Sequence, residues 1–232
     1  MIKKVLIRNE NKYYWSQGDL HTKDGVLKEL DLKESQSTIK SHTNKEFQIF
    51  DANFIDNFAK IKRGPATLTL KDLGYIIINS SVDSNSVVVD AGSGCGLLAA
   101  VMGKFAKKVY SYEIKPEHLK IAKQNIEFLE LKNVEIKEGD IYKNIEEKNI
   151  DILTLDLAEP WRVNFDCVKN GGTIIIYLPT ITQVSTFCSQ SKDHIEKVVE
   201  LLEREWYVEN EKVRPKSQMI GHTAFLIIVR KL

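Results

Sequence analysis

Three glycines at alternate positions follow a short apolar segment near the middle of the chain. Residues 86–90 read SVVVD, a β-branched run typical of a buried parallel strand, and Gly92, Gly94 and Gly96 come next. Glycine permits a tight turn and lets a ligand approach the backbone closely. A dinucleotide fingerprint would have its third glycine at position 97, where this chain has Leu97. The spacing therefore disfavours NAD(P) and favours a nucleoside cofactor that lacks a pyrophosphate.

Four apolar segments, the first of them before this loop, each have a carboxylate at or just after their C-terminal end. Asp90 ends the first segment, and Glu113 ends the next one, 23 residues later. A carboxylate at that position can accept hydrogen bonds from both ribose hydroxyls. Asp140 follows the third segment and Asp156 ends the fourth. We expect Asp140 to accept a hydrogen bond from an adenine amino group.

Strands that alternate with helices must position these residues after residue 64. Such alternation predicts βαβ units, and ligands of parallel sheets bind at the carboxyl ends of the strands. We therefore expect an α/β domain over residues 65–232, and a small β domain with a linker helix at 54–61 over residues 1–64. The predicted helices of the larger domain are 70–79, 96–105, 116–129 and 191–203. Its predicted strands are 86–90, 108–113, 134–137, 150–156, 172–178, 206–213 and 223–230.

Composition limits the remaining classes of protein. The 232 residues carry 33 basic and 32 acidic side chains, with a net charge of +3 in residues 1–64. No apolar run approaches 18 residues, so no membrane span is expected. The three cysteines, Cys95, Cys167 and Cys188, form neither a zinc pattern nor an even disulfide framework. We expect reduced thiols in a cytoplasmic protein that needs no metal.

The glycine loop and its partners resemble the class I S-adenosylmethionine-dependent methyltransferases. That resemblance covers roughly residues 65–232 and implies a mostly parallel seven-stranded sheet with helices on both faces. It implies that the loop contacts the methionine part of S-adenosyl-L-methionine, that Glu113 holds the ribose and that Asp140 holds the adenine. The implied cofactor-binding residues are Asp90, Gly92, Ser93, Gly94, Gly96, Leu97, Glu113, His118, Asp140 and Asp156.

The end of the fourth strand carries the resemblance further. The segment DLAEPW at 156–161 is similar to that of the tRNA adenine-N1 methyltransferases of the TrmI type. The stretches YLPTITQV at 177–184 and GHTAFL at 221–226 are similar to segments of the same family. The likeness departs at Thr69-Leu70, where the family has Tyr-Pro before Lys-Asp. In the family that tyrosine helps to wall the adenine pocket.

This resemblance implies methylation of N1 of adenine in the T-loop of tRNA, at position 58 and in some members also at 57. N1 methylation leaves a cationic ring, which a carboxylate that accepts an N6–H hydrogen bond would stabilise. Asp156 is the candidate for that role, and Tyr177 would line the base pocket. The resemblance also implies a homotetramer that binds tRNA, with no membrane association and no metal.

Two alternatives stay open. A class I methyltransferase acting on a small molecule, such as a corrinoid precursor, would share the glycine loop and Glu113. It would need neither residues 1–50 nor the segments around Tyr177 and His222. A cofactor-binding but inactive partner subunit would typically lose the glycine loop and Asp156, and this chain keeps both.

Overall fold

The chain folds as two compact units. The computed structural model describes residues 1–64, 67–209 and 211–232. One unit comprises Met1–Ile61 with Phe128–Glu130, and the other comprises Lys62–Glu127 with Leu131–Leu232. The predicted boundary between residues 64 and 65 ends on Pro65, which lies outside the described residues.

The small unit is built on a four-stranded antiparallel sheet. Alternating side chains of its strands, such as Leu6, Trp15 and Phe47, are buried in a separate hydrophobic core. The sheet has the order β2-β1-β6-β5, and β3 and β4 form a separate hairpin. Its strands are β1 (Lys4–Arg8), β2 (Asn11–Trp15), β3 (Leu20–Thr22), β4 (Gly25–Leu27), β5 (Thr38–Lys40) and β6 (Glu46–Asp51), and its helices are α1 (Glu29–Glu34) and α2 (Phe54–Phe58). The predicted N-terminal β region is therefore confirmed.

The large unit contains the predicted seven-stranded, mostly parallel sheet. Its strands are β7 (Val87–Ala91), β8 (Lys108–Glu113), β9 (Val134–Glu138), β10 (Ile150–Leu155), β11 (Val168–Leu178), β12 (His194–Glu200) and β15 (Phe225–Arg230). The strand order is β12-β15-β11-β10-β7-β8-β9, and β15 runs antiparallel to both of its neighbours. The hairpin of β13 (Trp206–Glu209) and β14 (Lys212–Pro215) forms a separate two-stranded sheet. The class I methyltransferase fold predicted for this region is confirmed.

Helix α3 (Leu70–Ser80) precedes β7. Helix α4 (Leu97–Met102) connects β7 to β8, α5 (Pro116–Phe128) connects β8 to β9, and α6 (Ile181–Gln190) connects β11 to β12. The chain proceeds from β7 outwards to β9 and then returns to β10 on the other side of β7. Because crossovers between parallel strands are right-handed, this reversal puts α4 and α5 on one face of the sheet and α6 on the other. The reversal at β7 and β10 is also where ligands of such sheets bind.

The C-terminal elements differ from the prediction. A helix over 191–203 is wrong, because His194–Glu200 is an edge strand paired with β15 and the helix lies earlier, at Ile181–Gln190. A sheet strand over 206–213 is also wrong, because that segment holds most of the β13–β14 hairpin. Strand β15 is apolar and buried, so it needs a hydrogen-bonding neighbour on each edge. The pairing with β15, a tertiary contact, selects a strand for a segment whose own residues also suit a helix.

No helix in the described part of the chain is long and apolar enough to cross a membrane. The same residues contain no group of three or more His, Cys, Asp or Glu side chains that could hold a metal ion.

Candidate active site

Asp90 lies at the carboxyl end of β7, in the middle of the sheet. Its side chain is 2 % exposed. One carboxylate oxygen accepts a hydrogen bond from Ser111 Oγ at 2.5 Å and the other from Thr154 Oγ1 at 2.7 Å. These donors are register partners of Asp90 on β8 and β10. Burial, together with the nearby Glu113 carboxylate, raises the pKa of Asp90.

The glycine loop turns directly over the strand ends. The backbone N–H groups of Gly92 and Ser93 both donate to Tyr112 O at 3.1 Å. Gly92 has a φ of +86°, and a Cβ there would lie 2.2 Å from Asp156 O. Gly94 N–H donates to Glu113 Oε2 at 2.8 Å. The loop therefore needs glycine at position 92 both for its backbone conformation and for the approach to Asp156.

Asp156 follows β10 and joins this group through the backbone. Its N–H donates to Ala91 O at 3.0 Å. Burial raises the pKa of its carboxyl to about 7, and the negative charges of Asp90 and Glu113 add to this effect. Among the described residues, none donates a hydrogen bond to the Asp156 carboxylate. Its oxygens thus keep their acceptor capacity for a ligand.

The ribose and adenine candidates lie on the next two strands. Glu113 ends β8, and its Oε1 accepts hydrogen bonds from the N–H groups of Ile114 at 3.0 Å and Lys115 at 2.9 Å. His118 Nδ1 lies 3.8 Å from Glu113 Oε2. Asp140 follows β9, and its Oδ1 accepts from Tyr142 N–H at 3.1 Å. Glu113 and Asp140 therefore follow one another along the carboxyl edge, in the order predicted from the sequence.

Tyr177 lies near the end of β11, on the side of Asp156 that is opposite to Asp90. The register pairs Leu155 with Ile176, so Asp156 and Tyr177 are neighbours that point to the same face of the sheet. The Tyr177 hydroxyl donates to Asp72 Oδ2 at 3.2 Å. Burial and the adjacent Asp72 carboxylate raise the pKa of Tyr177, so the phenol stays protonated.

One cavity brings most of the predicted cofactor residues together. The predicted residues that line it are Asp90, Gly92, Ser93, Gly94, Leu97 and Asp156. Thr67, Leu68, Cys95 and Leu98 complete the wall. Glu113 reaches this group through its bond to Gly94, and Gly96 lies at the start of α4 against Ala122. His118, Asp140 and Tyr177 are not part of the cavity wall: His118 lies in the first turn of α5, Asp140 follows β9, and Tyr177 lies near the end of β11.

Three polar residues of the site were missed in the sequence. Ser111 and Thr154 each interrupt an apolar strand and bond to Asp90. A polar residue in a buried strand signals a nearby polar partner, and that signal could have found both. Asp72 had a weaker signal, since a carboxylate at the start of a helix is common.

The residues present fit S-adenosylmethionine. Asp90, Glu113 and Asp156 lie close together: the Glu113 carboxylate helps to raise the pKa of Asp90, and Asp90 and Glu113 both help to raise the pKa of Asp156. Within residues 1–64, 67–209 and 211–232, no Lys or Arg forms an ion pair with any of the three. Such a carboxylate group favours a cationic ligand, as the cofactor sulfonium is. At Gly94 a Cβ would have Gly92 O at 3.8 Å as its nearest contact, so the loop backbone there is open to a ligand.

Comparison with known proteins agrees with this geometry. Residues 82–212 match the profile of a family described as a methyltransferase domain. The chain is 29% identical to the tRNA (adenine(57)-N(1)/adenine(58)-N(1))-methyltransferase TrmI of Methanocaldococcus jannaschii, over 98% of this chain and 94% of that protein. The crystal structure of a tRNA (m1A58) methyltransferase TrmI from Aquifex aeolicus superposes with a TM-score of 0.80 and 26% identity, covering 99% of this chain and 96% of that one. A SAM-dependent O-methyltransferase from Thermotoga maritima superposes with a TM-score of 0.84 and 27% identity, covering 100% of this chain and 93% of that one.

Proposed function

This chain belongs to the methyltransferase domain family, and on that premise we propose that it methylates N1 of adenine 58 in tRNA. Two TrmI proteins, one compared by sequence and one by structure, match the chain over nearly its full length, including the small N-terminal unit. A methyltransferase for a corrinoid precursor would have no need of that unit. The whole-length match therefore favours the tRNA enzyme over the small-molecule alternative.

The loop after β7 and the neighbouring strand ends would bind S-adenosylmethionine. Glu113 would accept from the ribose hydroxyls, and Asp140 from the adenine amino group. The cavity wall of Asp90, Gly92 and Ser93 would face the methionine part. When bound, the cofactor supplies a methyl group on a positively charged sulfur, which is electrophilic without help from a metal.

Asp156 carries the proposal for the acceptor side. Its carboxylate is buried, accepts no hydrogen bond from a described residue, and lies next to Tyr177. An adenine N6–H donated to this carboxylate would fix the base and offset the positive charge that N1 methylation places on the ring. The Tyr177 ring would line the base pocket, where a base turned out of the folded tRNA can stack.

The exposed apolar hairpin supports an assembly of several copies. Trp206, Tyr207, Val208 and Val213 are all exposed on β13 and β14, which pair only with each other among the described strands. A lone two-stranded hairpin is marginally stable in water, so a second copy would cover this surface. We infer a homotetramer that acts on tRNA in the cytoplasm. Basic surfaces of several subunits would together bind the phosphates of the tRNA.

Methyl transfer to an unmodified tRNA transcript tests the proposed function. We expect labelled S-adenosylmethionine to yield 1-methyladenosine, mapped to adenine 58 by a reverse-transcription stop. A transcript with guanine at that position is the matched control and should accept no label at that position.

The variant Asp156→Ala should lose transfer even at S-adenosylmethionine concentrations that saturate it, although the missing carboxylate should weaken cofactor binding at pH 8. Transfer to a small molecule but to no tRNA would establish the corrinoid-type alternative. Cofactor binding with no transfer to any acceptor would indicate an inactive partner subunit. Either result contradicts the proposed function.

A further inference from the structure

Helix α3 begins with a capping pattern that the structure does not use. Thr69 is the N-cap residue and Asp72 is three positions later, the spacing of a capping box. The Thr69 side chain makes no cap hydrogen bond; its hydroxyl donates instead to Asp72 Oδ2 at 2.9 Å. Helix α2 has the same spacing, and there Asn53 and Asp56 form the full reciprocal box. Asp72 is therefore directed away from the role that its local sequence suits.

Three donors converge on the Asp72 carboxylate. Asp72 is 0% exposed. Lys71 Nζ donates to Oδ1 at 2.7 Å, while Thr69 Oγ1 and the Tyr177 hydroxyl both donate to Oδ2. Lys71 Nζ also donates to Thr223 Oγ1 at 2.7 Å, just before β15. Lys71 and Thr69 thus hold the carboxylate so that it stays within reach of Tyr177.

A buried ion pair is a costly way to stabilise a fold. Apolar side chains of similar volume often stabilise a core as well as such a pair or better. Here the pair fixes one phenol, 105 positions away in sequence, at the strand end beside Asp156. A side chain that must face a reacting base gains from such fixation, because a displacement of about 1 Å can cost roughly 100-fold in rate.

We propose that Asp72 is a positioning residue that holds the Tyr177 hydroxyl, and so the Tyr177 ring, in the orientation that receives the acceptor base. This inference rests on the proposed function. Asp72 itself contacts neither base nor cofactor in this scheme. Its effect passes through Tyr177, while Lys71 supplies the balancing charge.

Kinetics of Asp72→Asn, Tyr177→Phe and the double variant test this proposal. The asparagine replaces one acceptor oxygen by an NH2 donor that opposes the donors around it. We expect kcat for tRNA methylation to fall about tenfold in each single variant, with KM for tRNA and Kd for S-adenosylmethionine changed less than about twofold. The double variant should be no slower than the slower single variant, because both changes break the same contact. Multiplicative losses in the double variant, or an unchanged kcat in Asp72→Asn, would overturn the proposal.

A spectroscopic measurement separates this proposal from the proposed function. With 3-fluorotyrosine incorporated, the fluorine resonance of Tyr177 is identified by its absence in Tyr177→Phe. We expect it to shift in Asp72→Asn and to stay in place in the matched surface control Asp51→Asn. An unmoved resonance overturns the role of Asp72, whether or not the wild-type protein methylates tRNA. If Asp72→Asn does not fold, Thr69→Val removes one support without changing the charge and should produce a smaller shift of the same resonance.

Discussion

At the scale of single residues, Asp156 combines function with a cost in stability. Its pKa of about 7 in the folded protein lies well above the usual value of an aspartate, chiefly because the carboxyl is buried and then because of Asp90 and Glu113. The folded chain therefore holds a proton on Asp156 between about pH 4 and pH 7 that the unfolded chain has released. The contribution of this group to the free energy of unfolding falls as the pH rises through that window.

The variant Asp156→Asn should accordingly stabilise the protein without cofactor at pH 8. We expect its Tm to exceed that of the wild type by about 5 °C or more at pH 8, and to lie close to it at pH 4.5, where the carboxyl is protonated in the folded state. Differential scanning calorimetry at both pH values measures this difference. If Asp156→Asn is no more stable than the wild type at pH 8, the Asp156 carboxylate does not destabilise the folded protein as its raised pKa implies.

Cofactor affinity should follow the same titration in the opposite sense. Protonation below about pH 7 removes a negative charge from the proposed sulfonium site, so the Kd for S-adenosylmethionine should rise as the pH falls from 8 to 6. The neutral product S-adenosylhomocysteine should show a much weaker dependence. Isothermal titration calorimetry measures both, and Asp156→Asn should remove most of the pH dependence for the cationic cofactor.

The glycine loop offers a matched pair of substitutions. Both Gly92 and Gly94 have positive φ, but a Cβ at Gly92 would lie 2.2 Å from Asp156 O, whereas one at Gly94 would have Gly92 O as its nearest contact, at 3.8 Å. Gly94→Ala should cost about 1–2 kcal/mol, the usual penalty for a left-handed residue with a side chain. Gly92→Ala should cost clearly more, because the loop must also move away from Asp156. Urea unfolding of the two variants measures the difference, and equal losses would argue against the close approach.

At the scale of elements, His222 ties three segments at the edge of the sheet. Its Nδ1 lies 2.5 Å from Glu200 Oε1, at the end of β12, and its Nε2 lies 2.8 Å from Pro179 O, after β11. A carboxylate and a carbonyl can only accept, so the imidazole donates from both nitrogens and is the positively charged imidazolium. The Glu200 carboxylate first, and then the Pro179 carbonyl, raise the pKa of His222.

This contact should make edge-strand stability depend on pH. A raised histidine pKa gives stabilisation that is complete below the unfolded value of about 6.5 and is lost as the pH rises through the folded value. The Tm difference between wild type and His222→Gln should therefore be largest near pH 6 and shrink towards pH 9. His21→Gln, a change in the small unit, is the control. A difference that grows with pH would show that the imidazole is not protonated.

At the scale of the whole molecule, the exposed hairpin should decide the state of assembly. Val208 is 76 % exposed on β13, and a lysine there would place a charge in any interface that covers it. We expect Val208→Lys to reduce the molar mass measured by light scattering, while Leu30→Lys, at an equally exposed position of α1, leaves it unchanged. A wild-type protein that is monomeric at micromolar concentration would contradict the proposed homotetramer.

The sequence by itself determined the local parts of this protein. β-Branched runs such as 86–90 specify buried strands, because their apolar residues can be satisfied only between two layers of helices. The strand pattern places the glycine loop and the carboxylates at 90, 113, 140 and 156 at one edge of the sheet, because parallel strands all end there. Their roles towards a cofactor came from the resemblance to the class I methyltransferases. The fold class was therefore predictable, and the structure lines its cavity with most of the predicted loop residues.

Tertiary structure decided what depends on contacts distant in sequence. His194–Glu200 becomes an edge strand because β15 needs a partner, which no local pattern reveals. Asp72 reaches Tyr177 only because α3 and β11 pack together, and Ser111 and Thr154 bond to Asp90 only through the strand register. Hydrogen bonds and charge shifts arise between atoms a few ångströms apart, and a sequence orders residues along the chain without fixing those distances.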